Sequence, residues 1–289
     1  MAERLARMVS IQDTRLTLPD GGLGQPMQVT AGVVALRKSS QPDAEMTSQL
    51  LHGEALILHH EVGEFGLVQS QHDRYTGWAL MAALSAPVLS PTHKLKALRA
   101  YVYPEPSVKA SPYYLISMGA RLVSEGQREG RFLKCARAGW VVEDQLSAID
   151  DKQSDPAAVA QTYLHTPYLW GARESLGIDC SGLVQQAFAA SGVSLPRDSD
   201  MQAAWAGSPI ADWQSKGALQ RNDLVFWQGH VGIMLDSERI IHANAHHMAV
   251  AIEPLEQAVE RISDLYGRPV AARRVDLKAA AGPVPDWLI

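Results

Sequence analysis

Hydrophobic and polar positions set three rhythms along this chain. From Gln28 to about Ser85 the apolar residues fall in short runs, at 29–36, 55–58, 66–69 and 77–80, with turn-forming residues between them. Short runs divided by turns are the pattern of a small all-β barrel or sandwich. A second set follows at 97–103, 113–116, 120–123, 131–134 and 139–142. The two sets share a signature: Gly77-Trp78 closing on Leu84 returns 62 residues later as Gly139-Trp140 closing on Leu146. The segment starting at Phe65 and the one starting at Arg131 resemble each other as the strands that would precede each Gly-Trp strand by a hairpin. Tandem barrels of about 60 residues each are the economical reading.

The rhythm then becomes helical. Asp155 followed by Pro156 is an N-cap with proline at the first helical position, opening a short helix to about Leu164. Pro167 keeps residues 166–171 extended. Leu183, Val184, Ala187 and Phe188 recur at helical spacing, and Gly192 supplies a stop. Ser199 and Gln202 form a capping-box pattern for a further helix through about Trp205. Three apolar runs, 223–227, 230–235 and 239–243, then read as an antiparallel sheet. Helices first and sheet after define an α+β domain. The expected divisions are an N-terminal segment over 1–28, a first β domain over 29–88, a second over 89–150, and the α+β domain over 151–289, ending in a loosely attached tail.

Composition adds exclusions. A net charge of −5 and a pI near 6.1, with no basic stripe, argue against a nucleic-acid partner. Two cysteines, Cys135 and Cys180, exclude a disulfide framework and a four-cysteine metal site. Cys135 falls within a strand pattern and reads as structural. The basic residues near Met1 have no apolar run behind them, so no secretory signal is expected. No window approaches 18 consecutive apolar residues, so no membrane partner is expected either. The chain reads as cytoplasmic.

Candidate chemistry centres on Cys180, between Asp179 and Ser181, where an extended segment gives way to the helical pattern. A thiol in a first helical turn lies near unpaired N–H groups and the positive end of the helix dipole, which favour a thiolate. A cysteine nucleophile needs a base, and the base needs an orienting group. His230 heads one strand and His242 lies on the next, and a tight turn at 236–238 would bring the two rings side by side. Metal binding is the competing use of histidine. His242 and His246 have i, i+4 spacing, but that spacing serves a metal on a helix, and this stretch reads as a strand entering a loop. No metal and no cofactor is expected.

The segments 166–171, 177–184, 195–199, 223–227, 229–233 and 241–243 together resemble, in order and spacing, the NlpC/P60 family of cysteine peptidases. The preceding repeats resemble bacterial SH3 domains, and the whole layout is similar to that of intracellular γ-D-glutamyl-L-diamino-acid endopeptidases. The resemblance implies a papain-like catalytic fold, with Cys180 as nucleophile, His230 as base and His242 as orienter. It implies that Tyr168 helps hold the oxyanion. Asp179, Ser181 and Ser199 would line the pocket for a substrate's N-terminal L-Ala and its free amine. More loosely, Glu54 and Tyr75 of the first SH3-like unit would lie over that pocket, with Asp179 and Glu54 supplying charge for the amine. The implied partner is a murein peptide, L-Ala-γ-D-Glu-diamino acid, cleaved after D-Glu to release L-Ala-γ-D-Glu in cell-wall peptide recycling. The alternatives are a murein-binding hydrolase of intact peptidoglycan, or an acyltransferase or amidase on the same fold. Two departures from the family pattern, Ala172 after Trp-Gly and Asn222 before Asp223, leave the proposed triad untouched.

Overall fold

The computed structural model describes residue 10 and residues 12–277. The chain divides into two units, one of Thr14–Asp151 with Gly171–Ser175, the other chiefly of Lys152–Trp170 and the residues from Leu176 on. The expected C-terminal tail and the first residues of the N-terminal segment lie outside the described residues.

The first unit opens with seven strands: β1 (Gln25–Val29), β2 (Val33–Arg37), β3 (Met46–Leu51), β4 (Ala55–Val62), β5 (Phe65–Ser70), β6 (Thr76–Leu80) and β7 (Leu84–Ser85). They form one sheet in the order β3-β2-β6-β5-β4-β1-β7. Alternation puts Leu56, Leu58, Leu36 and Val68 in its core while their strand neighbours face outward. The second set of strands is β8 (His93–Leu95), β9 (Arg99–Val102), β10 (Tyr114–Ser117), β11 (Arg121–Leu122), β12 (Ser124–Glu129), β13 (Phe132–Cys135), β14 (Gly139–Val142) and β15 (Leu146–Ala148). These make three small sheets around a core that includes Leu95, Val102, Ile116, Leu133, Cys135 and Val141.

The 62-residue repeat is visible in three dimensions. The Gly-Trp strand β6 runs into a 3-10 turn at Met81–Ala83 and then β7, and β14 runs into a 3-10 turn at Glu143–Gln145 and then β15. Phe65 pairs with Leu80 and Phe132 pairs with Val142, so the two hairpins share their register at that end. They differ in the connecting loop, which is longer in the first copy and carries Tyr75. The N-terminal boundary needs correction. Residue 29 lies inside β1, Leu16 is fully buried, and the carbonyls of Arg15 and Leu16 accept from the Thr76 backbone N–H and the Gln69 side chain. The first β domain therefore takes in most of what reads as a loop.

In the second unit the helices are α1 (Pro156–Thr162), α2 (Cys180–Ala190), α3 (Ser199–Trp205) and α4 (Leu255–Tyr266). After the short strands β16 (Arg173–Glu174, part of the first unit) and β17 (Gly177–Ile178) come β18 (Ser208–Pro209), β19 (Leu224–Trp227), β20 (His230–Met234), β21 (Arg239–Asn244), β22 (Ala249–Pro254) and β23 (Ala271–Arg274). The antiparallel sheet has six strands in the order β18-β23-β19-β20-β21-β22, twice the three expected. α2 packs on β20 and β21, and α4 packs on β22. The anticipated capping box at Ser199 does not form: Asp198 is the N-cap, and Ser199 is the first helical residue. Among the described residues no helix is long and apolar enough to cross a membrane.

Candidate active site

Cys180 begins α2, and Asp179 is the N-cap, its Oδ1 accepting from the Gly182 N–H at 2.7 Å. The apolar face of α2 is buried through Phe188, which fixes the helix, and with it the thiol, against the sheet. Backbone N–H groups of Val231 and Ser181 point at the sulfur. Val231 follows His230, so one strand brings both the sulfur's backbone donor and the expected base. Burial pushes the thiol up to about 12, and the Asp179 carboxylate pushes the same way, while the two N–H groups and Arg197 oppose them.

His230 Nε2 and His242 Nδ1 are 2.8 Å apart. Ile233 pairs with Ile241 and Met234 with Ile240 across β20 and β21. Continuing that register sets Gly232 opposite His242 and makes His230 its diagonal neighbour on the same face. A Cβ on Gly232 would stand 3.2 Å from the His242 Cβ and 2.6 Å from Ile240 Cδ1, so the absence of a side chain there gives His242 its room. Burial is the main cause that lowers His230 to about 3, with His242 and Arg261 adding to it and Glu253 opposing. Both shifts favour the uncharged forms of the thiol and the imidazole.

Beyond the expected triad stands a carboxylate. His242 is fully buried, and its Nε2 lies 2.7 Å from Glu253 Oε1 on β22. Arg261 of α4 donates to the same oxygen. Neither Glu253 nor Arg261 was singled out from sequence. The signal existed: Leu255, Ala258, Val259 and Ile262 carry the helical spacing of an amphipathic helix, and that helix places Arg261 one face away from its apolar stripe.

Tyr168 is partly buried, and its N–H donates to the Met248 carbonyl at 2.9 Å. A bridge to Ile178 holds it beside the strand that leads into Cys180. Burial, then the charges of Cys180 and Asp179, push its phenol well above the ordinary value, so the hydroxyl keeps its proton and can donate.

Asp179 differs from expectation. Arg197, buried beside it, donates to Oδ1 at 3.0 Å and to Oδ2 at 2.6 Å, and Ser181 Oγ lies 3.3 Å from Oδ1. Arg197 also donates to Ser181 Oγ at 2.9 Å. The carboxylate is a cap and half of a buried ion pair rather than an uncompensated charge for an amine. Arg197 lies within the Leu195–Ser199 motif, but nothing in the motif marks its part, because a sequence does not reveal which carboxylate an arginine meets. Ser199 is partly buried at the start of α3, whose Gln202 donates to the carbonyls of Ser181 and Pro196.

Glu54 and Tyr75 belong to the first unit. Glu54 is buried there and paired with Arg173 through both carboxylate oxygens, at 3.1 and 3.2 Å, and it also accepts from the Leu51 N–H. Its charge is balanced by that guanidinium, which corrects its expected use as counter-charge for an amine. Tyr75 is buried too, with its N–H on Asp73 Oδ1 at 3.1 Å.

A thiol at a helix start, packed on an antiparallel sheet that carries two histidines in series, defines a papain-like α+β domain preceded by SH3-like β modules. Residues 165–265 match the NlpC/P60 family and residues 36–84 match the bacterial dipeptidyl-peptidase SH3 domain, so the chain carries an NlpC/P60 domain and, ahead of it, a bacterial SH3 domain. Among relatives, Dipeptidyl-peptidase 6 of Lysinibacillus sphaericus is 36% identical over 98 residues, 34% of this chain and 35% of that protein. The match thus spans about a third of that relative's length. Gamma-D-glutamyl-L-lysine dipeptidyl-peptidase of Bacillus subtilis (strain 168) is 27% identical over 243 residues, 75% of this chain and 78% of that protein. The crystal structure of an NlpC/P60 family protein from Bacillus cereus ATCC 10987 superimposes with a TM-score of 0.72 at 19% identity, over 86% of this chain and 99% of that one. At that identity the likeness is one of fold.

Proposed function

We propose that this protein is a cysteine peptidase that hydrolyses the bond between the γ-carboxyl of D-Glu and an L-diamino acid in murein peptides with a free N-terminal L-Ala. The observation that carries the chemistry is Cys180 at the start of α2, with His230 and His242 in hydrogen-bond contact on the neighbouring strands. The substrate class is supported by the two dipeptidyl-peptidase relatives and by the match of the SH3 module to the domain named for that activity.

In this reading His230 takes the Cys180 proton as sulfur attacks the carbonyl, and returns it to the leaving amine. Water, activated by the same imidazole, then releases L-Ala-γ-D-Glu. The protonated Tyr168 hydroxyl and the N–H groups of the first turn of α2 stabilise the oxyanion. Ser181 and Ser199 line the pocket for the L-Ala end. With two unlinked cysteines, we place this activity in the cytoplasm, in recycling of released wall peptides. Fractionation that finds the native protein with the cell envelope would contradict that placement.

The test is mass spectrometry of L-Ala-γ-D-Glu-L-Lys and its diaminopimelate counterpart after incubation with the protein. Release of L-Ala-γ-D-Glu, abolished in Cys180→Ala while the thermal unfolding midpoint is kept, is expected. Turnover retained without the thiol overturns the mechanism. Cleavage of sacculi with intact free peptides would instead assign the activity to polymeric wall.

A further inference from the structure

The carboxylate behind His242 has no role in the mechanism above, and its geometry gives it one. His230, His242 and Glu253 step across three adjacent strands, β20, β21 and β22. Ile240 pairs with Glu253 and His242 with Ala251, so Glu253 and His242 are diagonal neighbours on one face, as His230 and His242 are. The chain of contacts runs His230 Nε2 to His242 Nδ1 at 2.8 Å, then His242 Nε2 to Glu253 Oε1 at 2.7 Å, then Arg261.

A carboxylate only accepts hydrogen bonds, whereas a neutral imidazole has one donor and one acceptor nitrogen. Glu253 therefore requires the proton of His242 on Nε2. His242 Nδ1 is left as an acceptor, and the hydrogen between the rings must come from His230 Nε2. That leaves the lone pair of His230 on Nδ1, the nitrogen a general base would use. Were the carboxylate absent, the opposite order, with His242 donating to His230, would be equally available and would put a proton on Nδ1.

From this geometry, and resting on the cysteine-peptidase reading above, we infer that Glu253 is a positioning residue: it sets the tautomers of both histidines so that His230 Nδ1 is free to accept the Cys180 proton, and Arg261 anchors it. In the step itself the S–H bond breaks and a His230 Nδ1–H bond forms, with the electron pair staying on sulfur. The positive charge created on His230 is met through His242 by the negative charge of Glu253, a favourable arrangement where little water is present.

Glu253 is held ionised. Burial alone would raise it, but the hydrogen bonds and charges of His242 and Arg261 outweigh that and take it down to about 2. The charged or titratable groups that face it are His242 from β21, Arg261 from α4 and, more distantly, His247 from the turn before β22.

The test separates this role from mere structure and from the choice of substrate, because it reads the thiol directly. Alkylation of Cys180 by iodoacetamide is followed from pH 6 to 11 by the mass of the Cys180 peptide, in the wild type and in Glu253→Gln. At the alkaline limit hydroxide removes the thiol proton directly and the thiolate owes nothing to His230, so that rate should be unchanged. At pH 7 reaction depends on transfer to His230, and the rate should fall about tenfold or more, the equivalent of about one pKa unit. With the γ-D-glutamyl tripeptide, kcat should fall about a hundredfold, in the range of one general base, with KM within about twofold. Glu253→Ala should behave alike in the alkylation assay. An unchanged ratio of neutral to alkaline rates in both variants overturns the inference. So does a parallel fall of both rates together with the unfolding midpoint, which would make Glu253 a packing residue only. If the ratio falls yet no γ-D-glutamyl peptide is cleaved by the wild type, the inference stands and the substrate reading fails.

Discussion

Asp179 sits where two demands meet, capping α2 and flanking the thiol, and its partner Arg197 decides between them. A buried guanidinium left without its carboxylate is expensive, about 3–5 kcal/mol when one partner of such a pair is removed. Asp179→Asn keeps the shape and a capping oxygen but removes the charge. It should therefore lower the unfolding midpoint of the protein by that order of free energy. It should also move Cys180 in a definite direction. Burial and the Asp179 carboxylate push the thiol up while Arg197 and two backbone N–H groups pull it down, so removing the carboxylate takes away one upward push and leaves the pull intact. The pH midpoint of Cys180 alkylation should move to lower pH in Asp179→Asn; a shift to higher pH would mean that desolvation, not this carboxylate, is what changed.

At the level of elements, the site depends on strand register, and register explains what the sequence made legible. Cys180, His230 and His242 could be assigned to a helix start and two adjacent strands because apolar spacing marks those elements and a short turn fixes their pairing. Glu253 and Arg261 carry no such mark because β22 and α4 lie beyond the three apolar runs that define strands in the sequence, and a diagonal relation across three strands exists only once all three are paired. The capping-box pattern at Ser199 and Gln202 misled for a related reason: Asp198 one residue earlier takes the N-cap, and Gln202 turns inward to the carbonyls of Ser181 and Pro196. The repeat was readable because Gly-Trp, a 3-10 turn and a closing strand recur as one local unit. Gly232 offers an element-level test. It is opposite His242 on β20, where a side chain would meet Ile240 and the His242 Cβ. Gly232→Val should displace His242 and break its contact with His230. Activity should fall about a hundredfold or more, as for loss of a general base, while the fold survives with a cost of about 1–3 kcal/mol from overpacking. Circular dichroism and kcat measured side by side check this, and a variant with full activity would show that the strand pair yields without moving the histidine.

On the scale of the whole chain, the first unit is not a contiguous stretch, because it takes in Gly171–Ser175 from beyond the start of α1. The link is specific. Arg173 is fully buried, donates to the Gln49 carbonyl at 2.7 Å, receives Gln49 Oε1 on its own N–H at 2.8 Å, and forks onto Glu54. Ser175 N–H and the Ser117 hydroxyl add a bond at 3.1 Å to the second set of strands. The boundary at residue 150 falls where the contiguous part of the first unit ends, at Asp151, but it leaves out residues 171–175, of which the polar 150–155 segment gives no hint. Burial disfavours charge on Glu54, yet Arg173, with His72 and Arg121 behind it, keeps its carboxyl below the usual value of 4.5. A carboxylate depressed in the fold lends stability that is present above its unfolded value and is lost as pH falls through its folded value. This pair should thus stabilise the protein at neutral pH and fail in acid below about pH 4.3. Glu54→Gln should lower the unfolding midpoint at pH 7, by about 3–5 kcal/mol for a charge left unpaired, and the gap to wild type should close in the acid range. Adding Arg173→Met to it should restore much of the loss at pH 7, since the cost lies in the stranded guanidinium rather than in the missing attraction. If the double variant is no more stable than Glu54→Gln alone, the hydrogen bonds of Arg173 to Gln49, and not its charge balance, are what bind residues 171–175 into the first unit.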